Sequence, residues 1–131
     1  MSSVFAKIIE GQIPCYKIAE DDNYFAFLDI SPVSYGHTLV VTKREEDYVF
    51  DLNDDELGNY LPFCKRVSDA IQAVVPCKRV GIAVVGFEIP HAHIHLIPMN
   101  SISDFSFSNP KLDLKNEEFI QLAAKIRAAF K

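Results

Sequence analysis

The chain has only three cysteines, Cys15, Cys64 and Cys77, an odd number at wide spacing with no Cys-x-x-Cys pair. That pattern excludes a disulfide framework and a cysteine zinc site, and it is the usage expected of reduced thiols in the cytosol. Long apolar runs are missing as well: nothing approaches the roughly 18 consecutive apolar residues of a membrane span. The opening residues Met1-Ser2-Ser3-Val4-Phe5-Ala6-Lys7 show no basic region followed by an apolar stretch, so the expectation is a soluble, cytoplasmic protein with no membrane partner. Positive charge is in deficit, with 13 Lys and Arg against 18 Asp and Glu, a net charge of −5. Broad electrostatic binding to nucleic acid is thereby excluded, since that affinity comes from many cations neutralising phosphates. A small anionic ligand held at one local site remains open. There are no repeats, linkers or low-complexity tracts, and 131 residues at 49% hydrophobic content are expected to form a single domain over residues 1–131.

Periodicity supplies the elements. Val4, Phe5, Ile8 and Ile9 recur at helical spacing and stop before Gly11. Two strand-like runs, 15–20 and 24–30, flank Asp21-Asp22-Asn23, whose short polar side chains suit a hairpin turn. A third strand is expected at 37–42. Asn53 and Glu56 fit a capping box, and Leu57, Leu61, Cys64, Val67, Ile71 and Val74 continue a one-sided helix to Val75 in which Pro62 should produce a kink or mark the first turn. Strands at 79–85 and 91–97 follow, then an irregular stretch at 101–110. Asn116 is expected to cap a last helix that runs through Phe119, Ile120, Ala123, Ile126 and Phe130. The reading is an α+β fold: a five-stranded antiparallel sheet with a long central helix and a C-terminal helix.

What the chain does have is histidine in one place. Three of its four histidines alternate in His91-Ala92-His93-Ile94-His95, followed by Leu96-Ile97. On a strand, alternation puts three imidazoles on one face, about 6–7 Å apart, with Ala92, Ile94 and Leu96 on the other. Clustered imidazoles raise one another's cost of protonation and pack poorly, so the array points to chemistry. Two chemistries use it. Three histidines with an open position can hold a catalytic zinc, although the only acid close by is Glu88. Alternatively, a neutral imidazole attacks phosphorus while its neighbours orient it and handle protons.

The run His91-Ala92-His93-Ile94-His95-Leu96-Ile97 resembles the defining motif of the histidine triad (HIT) family of nucleotide hydrolases and transferases. The likeness extends in order through Phe5-Ala6-Lys7-Ile8-Ile9-Glu10-Gly11-Gln12-Ile13-Pro14, Ala26-Phe27-Leu28-Asp29-Ile30-Ser31-Pro32 and Gly36-His37-Thr38-Leu39-Val40-Val41-Thr42-Lys43, which look like the Hint-like branch and carry the similarity over most of residues 4–99. It implies that His93 is the nucleophile, that His91 and His95 set its tautomer or bind phosphate oxygens, and that His37 lies near the leaving group. A polar residue at a strand start is the plain alternative for His37. The resemblance further implies a base pocket from Phe5, Ile8, Ile13, Phe27 and Ile30, with Asp29 on the ribose hydroxyls, although core packing alone accounts for most such apolar residues. The substrate is then a purine nucleotide, attacked as a phosphoramidate or dinucleoside polyphosphate, with no cofactor and no metal. A homodimer is implied, meeting through the 53–75 helix and the 79–85 strand.

This sequence departs from the family before the triad. The stretch Ala83-Val84-Val85-Gly86-Phe87-Glu88-Ile89-Pro90 is shortened, and Glu88 stands where a hydroxyl residue is usual. Arg44-Glu45 follows Lys43 in place of a further histidine, and Met99 occupies a position where a basic or small residue is common. The departure leaves two other functions in view: a nucleotide-binding protein without turnover, and a zinc hydrolase using the triad as ligands.

Overall fold

The computed structural model describes residues 2–131. Five strands form one antiparallel sheet in the order β1-β2-β3-β5-β4: β1 Lys17–Glu20, β2 Tyr24–Leu28, β3 Thr38–Thr42, β4 Arg79–Ala83 and β5 His93–Met99. Three helices accompany it, α1 Val4–Ile9, α2 Asp54–Val74 and α3 Asn116–Ala129. This is the α+β arrangement expected from the sequence. None of the helices among the described residues is long and apolar enough to cross a membrane.

Strand alternation sorts the side chains into two cores. Tyr24, Ala26 and Leu28 of β2, Val40 of β3, and Ile94 and Leu96 of β5 face α2 and α3, where they meet Tyr60, Phe63, Val67, Ile71, Leu122 and Ile126. Each Val, Leu, Ile or Phe among them contributes about 1.5–3 kcal/mol by leaving water. The opposite face carries Phe25, Phe27, Leu39 and Val41, covered by Phe5 of α1. Because Leu39 pairs with His95 and Val41 with His93, both histidines belong to this second face, under α1.

Local chemistry fixes the element ends. Asp21 closes the β1–β2 hairpin as its carboxylate accepts from the N–H groups of Asn23 and Tyr24, both at 2.8 Å. Helix α2 begins with the Asn53–Glu56 capping box, which satisfies two otherwise orphaned N–H groups. Pro62 lies inside α2, not at its first turn. It is exposed, as is Gly58 one turn earlier, so the carbonyl that loses its helical bond faces water. In α3 the capping position falls on Lys115, whose N–H donates to Glu118 at 3.2 Å, and Asn116 is the first helical residue. The Asn116 side chain instead accepts from the Tyr16 hydroxyl at 2.5 Å.

Several strands are shorter than their sequence patterns. β1 starts at Lys17, and its ladder with β2 is irregular between Lys17 and Ala19. β2 ends at Leu28, where pairing with Thr38 closes the ladder. β4 stops at Ala83, opposite His95. The largest shift is in the histidine strand: β5 spans His93–Met99, so His91 precedes it. Its N–H donates locally to the Ile89 carbonyl at 2.8 Å, and the Ala92 N–H donates to Glu46 at 2.6 Å, which takes both residues off the ladder.

Candidate active site

A cavity of about 350 Å³ opens on the α1 face of the sheet. Phe5, Ile8, Ile13, Phe27 and Ile30 line it, together with Asp29, Glu88, His37, His93 and His95. The topology makes this gathering: α1 folds back over β2, and β3 and β5 pair so that His37, His93 and His95 arrive side by side. Ile30 is mostly exposed at the rim. Glu88 is exposed too, and also lines a smaller adjoining hollow of about 260 Å³ formed by Val85, Gly86, Phe87, His93, His95 and Phe107.

The hydrogen bonds assign the proton positions. An amide N–H only donates and a carbonyl only accepts. Nδ1 of His93 lies 2.7 Å from the His91 carbonyl, so it carries the proton and donates. In the neutral ring Nε2 of His93 is then an unprotonated lone pair. At His37 the direction is reversed: the Val33 N–H donates to Nδ1 at 3.1 Å, which puts the proton on Nε2. That Nε2 donates to Nδ1 of His95 at 3.0 Å, leaving the His95 proton on its Nε2. The relay thus presents one imidazole acceptor, at His93, beside one imidazole donor, at His95.

His91 does not belong to the cavity. It is completely buried, its Nε2 donating to the Thr42 carbonyl at 2.6 Å and its Nδ1 accepting from the Ser3 hydroxyl at 2.7 Å. The expectation of three imidazoles on one open face is therefore corrected to two, because the chain leaves the strand pattern before His93. His91 acts on the site through its backbone carbonyl. Phe5 packs edge-on against both rings, with centroids 5.9 Å from His91 and 4.9 Å from His93.

Burial keeps the supporting histidines neutral. His95 is pushed down to about 3, chiefly by burial and then by His37 and His93. Burial likewise lowers His37, against the opposing pull of Asp29 and with the aid of Lys111. Burial also lowers His91, although the Thr42 carbonyl favours its charged form. Neutral rings can hold the fixed donor and acceptor assignments above across the neutral pH range.

The donor set can be tested against a metal. Asp29, His37 and His95 place ligand-type atoms within 4.8 Å of one another. The spacing suits an ion, but the protonation does not: Nε2 of His37 holds the proton that the Val33 N–H forces upon it. The triad does not converge on an ion either, since both nitrogens of His91 are committed to Ser3 and Thr42.

Cys15, Val33, Leu39, Ile89, Phe107 and Lys111, to which the sequence reading gave no role in a site, also line the cavity. Leu39 lies within β3 and Val33 in the loop before it. Phe107 and Lys111 come from the stretch after β5, where no periodicity announces a site. The Phe107 ring stands edge-on to His95 at 4.7 Å between centroids.

Two imidazoles side by side on one sheet face, His93 with Nδ1 bound to a backbone carbonyl and His95 accepting from His37, in a cavity that also holds a carboxylate, make a site of the histidine-triad class. Residues 10–102 match the HIT domain, and the chain belongs to the HIT family. It is 34% identical, over the whole of both chains, to an adenosine 5'-monophosphoramidase of Schizosaccharomyces pombe. An uncharacterized HIT-like protein of Borreliella burgdorferi is 35% identical, with 94% of each chain covered. Among solved structures, a Hit-like protein involved in cell-cycle regulation from Bartonella henselae superposes with a TM-score of 0.84 at 26% identity, covering 98% of this chain and 96% of that one. Together these support a HIT nucleotide hydrolase or binding role.

Proposed function

We propose that this protein, as one cytoplasmic domain, hydrolyses nucleotidyl phosphoramidates or phosphoanhydrides through a nucleotidyl-histidine intermediate. The observation that carries the reading is the bond from Nδ1 of His93 to the His91 carbonyl, which leaves the Nε2 lone pair at the cavity. That lone pair attacks the α-phosphorus, forming a P–N bond as the bond to the leaving group breaks. The leaving group departs with the electron pair and takes a proton from water, which is made good by the proton that the attacking water sheds in the second step. Water then attacks the same phosphorus, the bond to Nε2 breaks and the imidazole regains its lone pair. The products are a nucleoside monophosphate and the protonated leaving group. His95 donates to a non-bridging phosphate oxygen, and His37 is a positioning residue that fixes the His95 tautomer. Asp29 accepts from the ribose hydroxyls, while the apolar wall of Phe5, Ile8, Ile13, Phe27 and Ile30 takes a purine base.

Intact mass spectrometry of protein mixed with adenosine and guanosine phosphoramidates or dinucleotides tests this. Wild type should show a nucleotidyl adduct. His93→Ala should lose the adduct and at least about 10²-fold in turnover while staying folded. Near-normal activity in that variant overturns the mechanism. The exposed Glu88 and the shortened loop favour a second reading, a nucleotide-binding protein without turnover, and nucleotide binding with no adduct in wild type would establish it.

A homodimer accompanies the proposal. The β4 edge is open, and Leu61, Ile82, Val84, Val85 and Phe87 are exposed beside it. An apolar strand edge of this kind invites pairing with another copy.

A further inference from the structure

The cavity that is proposed to take a nucleotide is poor in positive charge. Asp29 and Glu88 are its acids, and the imidazoles of His37 and His95 are neutral. Among the residues that line it, the single permanent cation is Lys111. Lys111 belongs to neither the triad nor the stretch 10–102 that matches the HIT domain, so nothing in the family motif assigns it a role.

The chain after β5 delivers this side chain. A short 3₁₀ turn at Ile102–Asp104 redirects the backbone, and Phe107 packs against His95. Further along, the Leu112 N–H donates to the Pro32 carbonyl at 2.9 Å, tying the segment to the loop that follows Asp29. Between these two anchors the Lys111 ammonium donates to the carbonyls of Phe107, at 2.5 Å, and Asn109, at 3.3 Å. Those bonds use two of its three N–H donors and none of its charge. Among the described residues Lys111 forms no ion pair with a carboxylate. An ammonium held by carbonyl oxygens, uncompensated, at the edge of a cavity with two acids is placed for an anion that arrives with the ligand.

We infer that Lys111 binds the anionic phosphate of the substrate and supplies the charge by which this site favours a nucleotide over a nucleoside. The inference rests on the nucleotide reading of the cavity. It makes residues 101–112 a working part of the site, with Phe107 against the donor histidine and Lys111 on the ligand's charge.

Isothermal titration of adenosine 5'-monophosphate and of adenosine into wild type, Lys111→Met and Lys111→Arg tests it at two salt concentrations. Lys111→Met should weaken the monophosphate by about two- to fivefold, as for an exposed charge pair, and leave adenosine unchanged. The wild-type preference should shrink at high salt, and Lys111→Arg should retain it. If Lys111→Met weakens both ligands equally, or weakens neither, the assignment is overturned and the residue only tethers its segment. Wild type that binds neither ligand overturns the nucleotide reading itself.

Discussion

Folding this site requires His95 to stay neutral, and that requirement has a measurable cost in acid. In the unfolded chain a histidine titrates near its ordinary 6.5, whereas in the folded protein burial, followed by His37 and His93, pushes His95 down to about 3. Between those values the unfolded chain binds a proton that the folded protein refuses, so stability is complete above 6.5 and is lost as pH falls. At pH 5 the loss from a native value of about 3 is about 2 kcal/mol, from the ratio of the two binding polynomials. The His95 ring is partly exposed, and solvent screening brings the expectation to about 1–2 kcal/mol. Urea unfolding at pH 8 and pH 5 reads this out, with His95→Asn as the reference because its amide still offers an acceptor to Nε2 of His37. The midpoint for wild type should drop between the two pH values by about 1 M urea more than the midpoint for His95→Asn. Carboxylates titrate in both proteins and cancel, and His37 keeps an acceptor for its Nε2 in the variant. Equal drops, or a larger drop in the variant, would refute the claim that His95 is held neutral.

Three further outcomes are expected. Asp29→Ala should weaken ribonucleotide binding by about 1–3 kcal/mol, the range for hydrogen bonds to a charged group, and should affect 2′-deoxynucleotides less; equal losses would reassign Asp29 to the turn in which its carboxylate accepts from the Ser31 N–H at 2.8 Å. Gly36→Ala should destabilise by about 1–3 kcal/mol in thermal or urea unfolding, because Gly36 has φ +92 and a Cβ there would meet Val75 at 3.1 Å and Pro98 at 3.2 Å; an unchanged midpoint would show that this turn relaxes freely. Light scattering at micromolar concentration should give twice the chain mass of 14.8 kDa, and a value near 14.8 kDa would reject the dimer through α2 and β4.

Much of this protein is written in its sequence because it depends on short-range periodicity. The 3.6-residue recurrence in α2 and α3, the apolar strand-like runs that become β2 and β3, the two-residue alternation in β5, and the Asp21 turn each act between near neighbours, and all emerge at or close to the expected places. The alternating histidines made the site visible for the same reason. What the sequence could not determine was how far that alternation extended. His91 obeys the pattern on paper, yet its N–H bonds to Ile89 and its ring is enclosed by Ser3 and Thr42, contacts that depend on chain segments 88 and 49 residues away. The tautomers had the same origin: the lone pair at His93 and the donor at His95 follow from which backbone groups lie opposite Nδ1 of His93 and Nδ1 of His37. Lys111 and Phe107 enter from a stretch with no period, placed by anchors at Pro32 and His95. Local spacing chose the residue types and the faces they occupy, while contacts between distant segments decided which nitrogens carry protons and which charge meets the ligand.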